Sequence, residues 1–172
     1  MELYTLIKKK KSTMAYILDS IVLVLAVFTL FIDCFINPLF IVATVILGVL
    51  FYCTHFLTNI EFEYAYFGGE LKVAKITNKS KRKTQMRMNL DEVTQIAPHG
   101  DRSVYKYEND KDIFVKDFTS RYKEVPYYEV IYSHEGKTYL CMMELEDEMI
   151  EEMCQRYGMK IKKMPKVEAT EA

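Results

Sequence analysis

Residues 60–77 read IEFEYAYFGGELKVAKIT, and this stretch decides the fold of the larger part of the chain. Ile60, Phe62, Tyr64 and Tyr66 point one way, while Glu61, Glu63 and Ala65 point the other. That is the period-two pattern of a half-buried strand. Gly68-Gly69 then predicts a two-residue hairpin turn, because both positions take positive φ without penalty. The return strand covers residues 71–77. Its alternation slips at Ala74-Lys75-Ile76, which predicts a bulge.

Toward the C-terminus the same reading predicts strands over residues 84–89, 93–97, 104–107, 113–118, 126–133 and 137–144. Leu90, Val93 and Ile96, spaced by three, predict a tight helical turn before the fourth strand. His134-Glu135-Gly136 makes the turn of the last hairpin. Leu145, Met149, Ile150, Met153, Cys154 and Tyr157 then recur at helical spacing, with acids on the other face and in the first turns. Gly158 is the expected C-cap of that helix, and residues 159–172 are expected to be a solvated tail.

Upstream of residue 60 the pattern is continuous rather than alternating. No Lys or Arg occurs between Ser12 and Leu71. The first run extends from Met14 to Ile36; between Met14 and Asp33 its only charge is Asp19, and those 20 residues reach ~30 Å as a helix, about one hydrocarbon core. A second run, from Asn37 to Ile60, contains no charged residue at all. Asn37-Pro38 between them is a turn signal, with Pro38 suited to the first turn of a new helix. A transmembrane helical hairpin with a short tip is the reading that follows. A cleaved signal peptide would need small residues where Phe31-Ile32-Asp33-Cys34-Phe35 stands, and a lipoprotein signal would not place Asp33 before Cys34. A buried core hairpin of a soluble protein is the other rival, and two consecutive spanning-length runs disfavour it.

Lys8, Lys9, Lys10 and Lys11 precede the first run, and all remaining Lys and Arg follow the second. The positive-inside rule therefore places both termini in the cytoplasm of a multi-pass plasma-membrane protein. Asp19 is expected at headgroup level, and Cys34 and Cys53 behave as small apolar residues.

The 172 residues hold 23 Lys+Arg against 24 Asp+Glu, a net charge of −1, so nothing argues for a nucleic-acid partner. The four Cys show no CxxC spacing, which excludes a zinc ribbon, a thioredoxin-like motif and a disulfide scaffold. His55, His99 and His134 are scattered, with no second ligand at metal spacing, and are expected to be solvated. Cys141 and Cys154 fall on core positions. His99-Gly100-Asp101 lacks a nucleophile, and Gly68-Gly69 lacks the Lys and helix of a phosphate loop. No catalytic residue, metal ligand or cofactor site is assigned, and the expectation is a protein that is not an enzyme.

Two features point to binding. The basic run Lys79, Lys81, Arg82 and Lys83 reads either as a solvated hairpin loop that enforces topology or as a contact with anionic lipid headgroups. Chain reach favours the second, since seven strand residues carry the chain ~23 Å out and the next strand brings it back. The other feature is an excess of Tyr in the later strands: Tyr105, Tyr107, Tyr122, Tyr127, Tyr128 and Tyr132. Most of them are expected to pack with the hydroxyl reaching the rim; the functional reading is a free sheet edge beside the long charged segment 107–126, which would suit an extended peptide.

The order of elements resembles the pleckstrin-homology-like (PH-like) fold. The full length is similar to an uncharacterised, domain-of-unknown-function family of small two-span membrane proteins from Gram-positive bacteria. Lys8–Lys11, the apolar pair, Glu61-Phe62-Glu63-Tyr64, Gly69-Glu70-Leu71, Lys79-Ser80-Lys81-Arg82-Lys83 and Ile96-Ala97-Pro98 carry that resemblance. It implies an architecture and no activity. The expected fold class is thus a membrane α-helical hairpin plus an α+β, mainly-β PH-like domain of about seven antiparallel strands closed by a C-terminal amphipathic helix. Residues 1–13 would be a basic cytoplasmic lead, 14–57 the hairpin, 58–158 the domain and 159–172 a tail. The expected function is a membrane-tethered binding or scaffold module that holds an unidentified protein partner at the inner leaflet. The alternative is a structural accessory subunit of a larger membrane complex, using Ala26, Ala43, Thr44 and Gly48 as small packing residues of the hairpin.

Overall fold

A computed structural model of the chain describes residues 3–35, 38, 41–57 and 59–165. These fall into two compact units, one drawn from 1–8, 62–74 and 84–172 and the other from 9–61 and 75–83.

In the second unit, α1 (Thr13–Phe35) packs against α2 (Ile41–Leu57). Among the described residues α1 is the one helix long and apolar enough to cross a membrane; α2 is apolar throughout but shorter. Leu, Val and Phe side chains dominate both helices, so neither has a polar face to give to water. Val24, Phe28 and Phe31 of α1, and Val42, Val45 and Val49 of α2, are more than half exposed. Asn37 of the expected tip turn lies outside the described residues.

The first unit is built on two four-stranded sheets. One has the order β1 (Leu3–Lys8), β2 (Ile60–Phe67), β3 (Glu70–Thr77), β4 (Lys81–Asn89). The tips of β2, β3 and β4 belong to the helical unit. The second sheet orders β5 (Val93–Pro98), β7 (Tyr128–His134), β8 (Lys137–Met143) and β6 (Phe114–Asp117). The helix α3 (Tyr105–Glu108) lies between β5 and β6 in sequence, and α4 (Asp147–Tyr157) follows β8. Alternation in β2 buries Phe62, Tyr64 and Tyr66 as the sequence predicts, and Gly68 and Gly69 turn at φ +61° and +94°. The apolar stripe of α4 buries Met149, Ile150, Met153 and Tyr157. Tyr64 donates its buried hydroxyl to the Phe118 carbonyl at 2.8 Å, and burial pushes that phenol well above the usual range.

Four expectations are corrected. Residues 3–8 of the basic lead form a strand that the sequence reading does not place, β1, with Thr5 buried, which makes eight strands among the described residues. Residues 104–107 are not a strand. Val104 and Tyr107, three apart, form one side of a short helix that covers Ala97, Ile131 and Leu140. The sheets are not wholly antiparallel, because β6 runs parallel to β8, with Phe114 opposite Tyr139 and Asp117 opposite Met142. Gly158 is the C-cap of α4 as read, and at φ −54° it continues into a 3₁₀ turn over Gly158–Lys160. The tail is packed further than expected, since Ile161 is buried in a bridge to Ile96 and the Met164 N–H donates to the Tyr128 hydroxyl at 3.2 Å. Residues 166–172 of the expected tail lie outside the described residues.

Candidate functional site

The basic residues do not form a loop. Asn78 and Lys79 make a two-residue turn with both φ positive, +53° and +55°, closed by the Ser80 N–H to the Thr77 carbonyl at 3.3 Å. Asn tolerates that geometry; Lys79 in it costs about 1–2 kcal/mol. β4 begins at Lys81, so Lys81 and Lys83 share one face of the sheet and Arg82 takes the other. All four side chains are exposed. The Asn78 N–H donates to the Asn59 carbonyl at 2.9 Å, which fixes the turn beside the end of α2.

The same end of the helix pair gathers polar groups. The Lys9 N–H donates to the Ile60 carbonyl at 2.9 Å, and the Lys11 ammonium donates to the His55 carbonyl at 2.8 Å. Asp19 is buried, with its Oδ2 3.4 Å from His55 Nδ1 and 3.9 Å from the Lys11 ammonium. At the other end Thr44 donates its hydroxyl to Asp33 Oδ2 at 2.6 Å. Asp19 Oδ1 and Asp33 Oδ1 accept no hydrogen bond among the described residues. Cys34 is exposed and Cys53 partly buried.

His99 and His134 are exposed, as expected, but each has an acidic partner. His99 Nδ1 sits 2.7 Å from Glu129 Oε1 and 3.7 Å from Glu108 Oε1, and its ring stacks on Tyr127 at 4.7 Å. Three elements assemble this group: the end of β5, the end of α3 and the start of β7. Sequence spacing carried no sign of it, because the residues are far apart in the chain. Glu129 is buried, and burial raises its carboxyl above the ordinary value; the His99 hydrogen bond opposes the shift and the Glu108 carboxylate adds to it. His134 Nδ1 pairs with Glu92 Oε2 at 3.0 Å on an exposed surface. Asp101 does not orient His99. It accepts from Lys162 and from the Ser103 N–H and hydroxyl, which hold its carboxyl well below the usual range.

The Tyr-rich region divides between an exposed edge and packed core rings. β6 is an edge of its sheet with Phe114 and Val115 half exposed, whereas Tyr128 and Tyr132 are buried core residues. Cys141 is buried, and desolvation pushes its thiol up to about 12, as an inert core thiol requires.

A family model described as Bacterial PH-like domain (DUF6106) matches residues 1–163. No curated protein and no solved structure matches the chain.

Proposed function

The chain belongs to this family of bacterial PH-like domains, and on that premise we propose that it is a non-enzymatic binding module tethered to the inner face of the plasma membrane by a two-span helical hairpin. One observation carries the reading: the Lys9 N–H donates to the Ile60 carbonyl at 2.9 Å. The chain enters and leaves the helix pair at one place, so the number of crossings between those residues is even. If α1 spans, α2 returns. The 17 residues of α2 are enough for a thin or locally adapted bilayer. A signal sequence fits less well, because cleavage after α1 would also remove β1 from its sheet and the Asp19 partner of His55.

The turn that Asn78 ties to Asn59 would bring Lys79, Lys81, Arg82 and Lys83 to the headgroup layer, where each charge near anionic lipid is worth ~1 kcal/mol. The exposed edge strand β6 is the surface for a protein partner in this reading, because an unpaired strand edge accepts an extended peptide. The rival role, an accessory subunit contacting its complex through the hairpin, draws support from the exposed apolar faces of α1 and α2.

Thiol labelling in intact cells tests the topology. Cys34 should react with a membrane-impermeant reagent, and a cysteine introduced by Ser12→Cys or Ser80→Cys should react only after permeabilisation. Labelling of Ser12→Cys and Ser80→Cys from opposite sides would overturn the two-span reading.

A further inference from the structure

We propose that His99, Glu108 and Glu129 form a binding site for a divalent transition-metal ion of the Zn²⁺ type. The site lies within the sheet unit and does not rest on the membrane reading. One ligand atom from each residue falls within 4.8 Å of the other two. Around a tetrahedral ion, ligand atoms ~2.0–2.1 Å from the metal stand about 3.3 Å apart. The His99–Glu108 separation of 3.7 Å is already close to this. The His99–Glu129 separation of 2.7 Å must open by roughly half an ångström to admit the ion.

The electrostatics favour a cation. Glu129 is 2 % exposed, and its Oε2 accepts no hydrogen bond among the described residues. A second carboxylate, Glu108, faces the same group, and no described Lys or Arg pairs with either acid. Two carboxylates brought together at a buried edge repel, and leaving a buried carboxylate oxygen without a partner is costly. An ion with two positive charges between them answers both costs. The single imidazole donor selects the class: nitrogen suits Zn²⁺ and its neighbours, whereas Ca²⁺ and Mg²⁺ require oxygen ligands throughout.

Access and rigidity also fit. His99 and Glu108 have side chains 51 % and 26 % exposed, so an ion can enter and a fourth position stays open to water or to a partner's ligand. The stack on Tyr127 holds the imidazole plane, as an outer shell does in metal sites. Bound metal would join the ends of β5 and α3 to the start of β7. It would thereby pin the 99–113 segment on the sheet face that it covers.

The test uses the full chain in detergent, stripped with a chelator and titrated with Zn²⁺ by calorimetry, with thermal melting alongside. One saturable site and a raised melting temperature are expected, with no competition from Mg²⁺. Glu108→Gln, at an exposed helix end, and His99→Ala should each weaken binding by more than about tenfold while leaving the circular dichroism spectrum unchanged. His134→Ala, which breaks the exposed pair with Glu92, should leave it intact. Absence of a saturable site, full affinity in folded Glu108→Gln, loss of the site in His134→Ala, or equal competition by Mg²⁺ would each overturn the assignment. In the first of those outcomes the three residues are a hydrogen-bonded triad that holds no ion.

Discussion

The Tyr157 hydroxyl stands 2.7 Å from the point that a Cβ on Gly69 would occupy. Gly69 also sits at φ +94°, so it meets two demands that only glycine satisfies together. Gly69→Ala should destabilise the sheet unit by about 2–4 kcal/mol, from backbone strain plus the displaced tyrosine. Gly68→Ala has open space and should cost less, about 1 kcal/mol. Chemical denaturation of the pair checks the difference. Tyr157→Phe in the Gly69→Ala background should recover part of the loss, and an additive double mutant would refute the clash.

Charge and alternation together predict an unequal response in the basic segment. In lipid nanodiscs, amide exchange of residues 75–83 should be slower over anionic than over zwitterionic lipid. About 0.5 M salt should remove the difference, since the Debye length falls several-fold. Changing Lys81 and Lys83 together to Ser should remove more of the protection than Arg82→Ser, because the first two share a face. Protection that survives substitution of all four with Ser would mean that another surface meets the bilayer.

Pairing of the helices should depend on Thr44. Thr44→Val keeps the shape and removes the hydroxyl that donates to Asp33 Oδ2 at 2.6 Å. The expected cost is about 1 kcal/mol, typical of interhelical hydrogen bonds in lipid. Unfolding of the reconstituted chain by steric trapping reads it. No change would show that Asp33 finds an equivalent partner.

Glu129 gives a pH prediction for the metal-free protein. Its folded carboxyl titrates above its ordinary value of 4.5, mainly through burial. The stability linked to it is therefore fully present below about pH 4.5 and is lost as pH rises through the folded value. Glu129→Gln imitates the protonated form at every pH. Thermal melts in chelator should show the variant gaining on the parent between pH 4.5 and 7. A constant offset across that range would place the shift elsewhere.

Much of the fold was legible because its signals are local. The alternation of Phe62, Tyr64 and Tyr66, the Gly68-Gly69 turn and the Met149–Met153–Tyr157 stripe each fit within two turns of chain, and each appears as read. What was missed depends on partners distant in sequence. β1 was hidden behind four lysines, and it is a strand because β2, beyond both helices, pairs with it. The parallel register of β6 on β8 is a choice that tertiary packing makes. His99, Glu108 and Glu129 meet only once β5, α3 and β7 are assembled, so no spacing rule reaches them. The basic run was visible, but its division between two faces required knowing that a strand begins at Lys81.

The pairing of β1 with β2 also sets an order of events in time. About fifty residues separate the two strands, and both helices lie between them. At a synthesis rate of roughly 5–20 residues per second, β1 leaves the ribosome several seconds before its partner exists. On the two-span reading, the helices must enter the bilayer and turn back during that wait, and their return delivers β2 to a strand already made. Membrane insertion then acts as the timer for folding of the sheet. A defect in helix insertion would be seen first as an exposed sheet edge and its clearance by proteases, before any loss of partner binding.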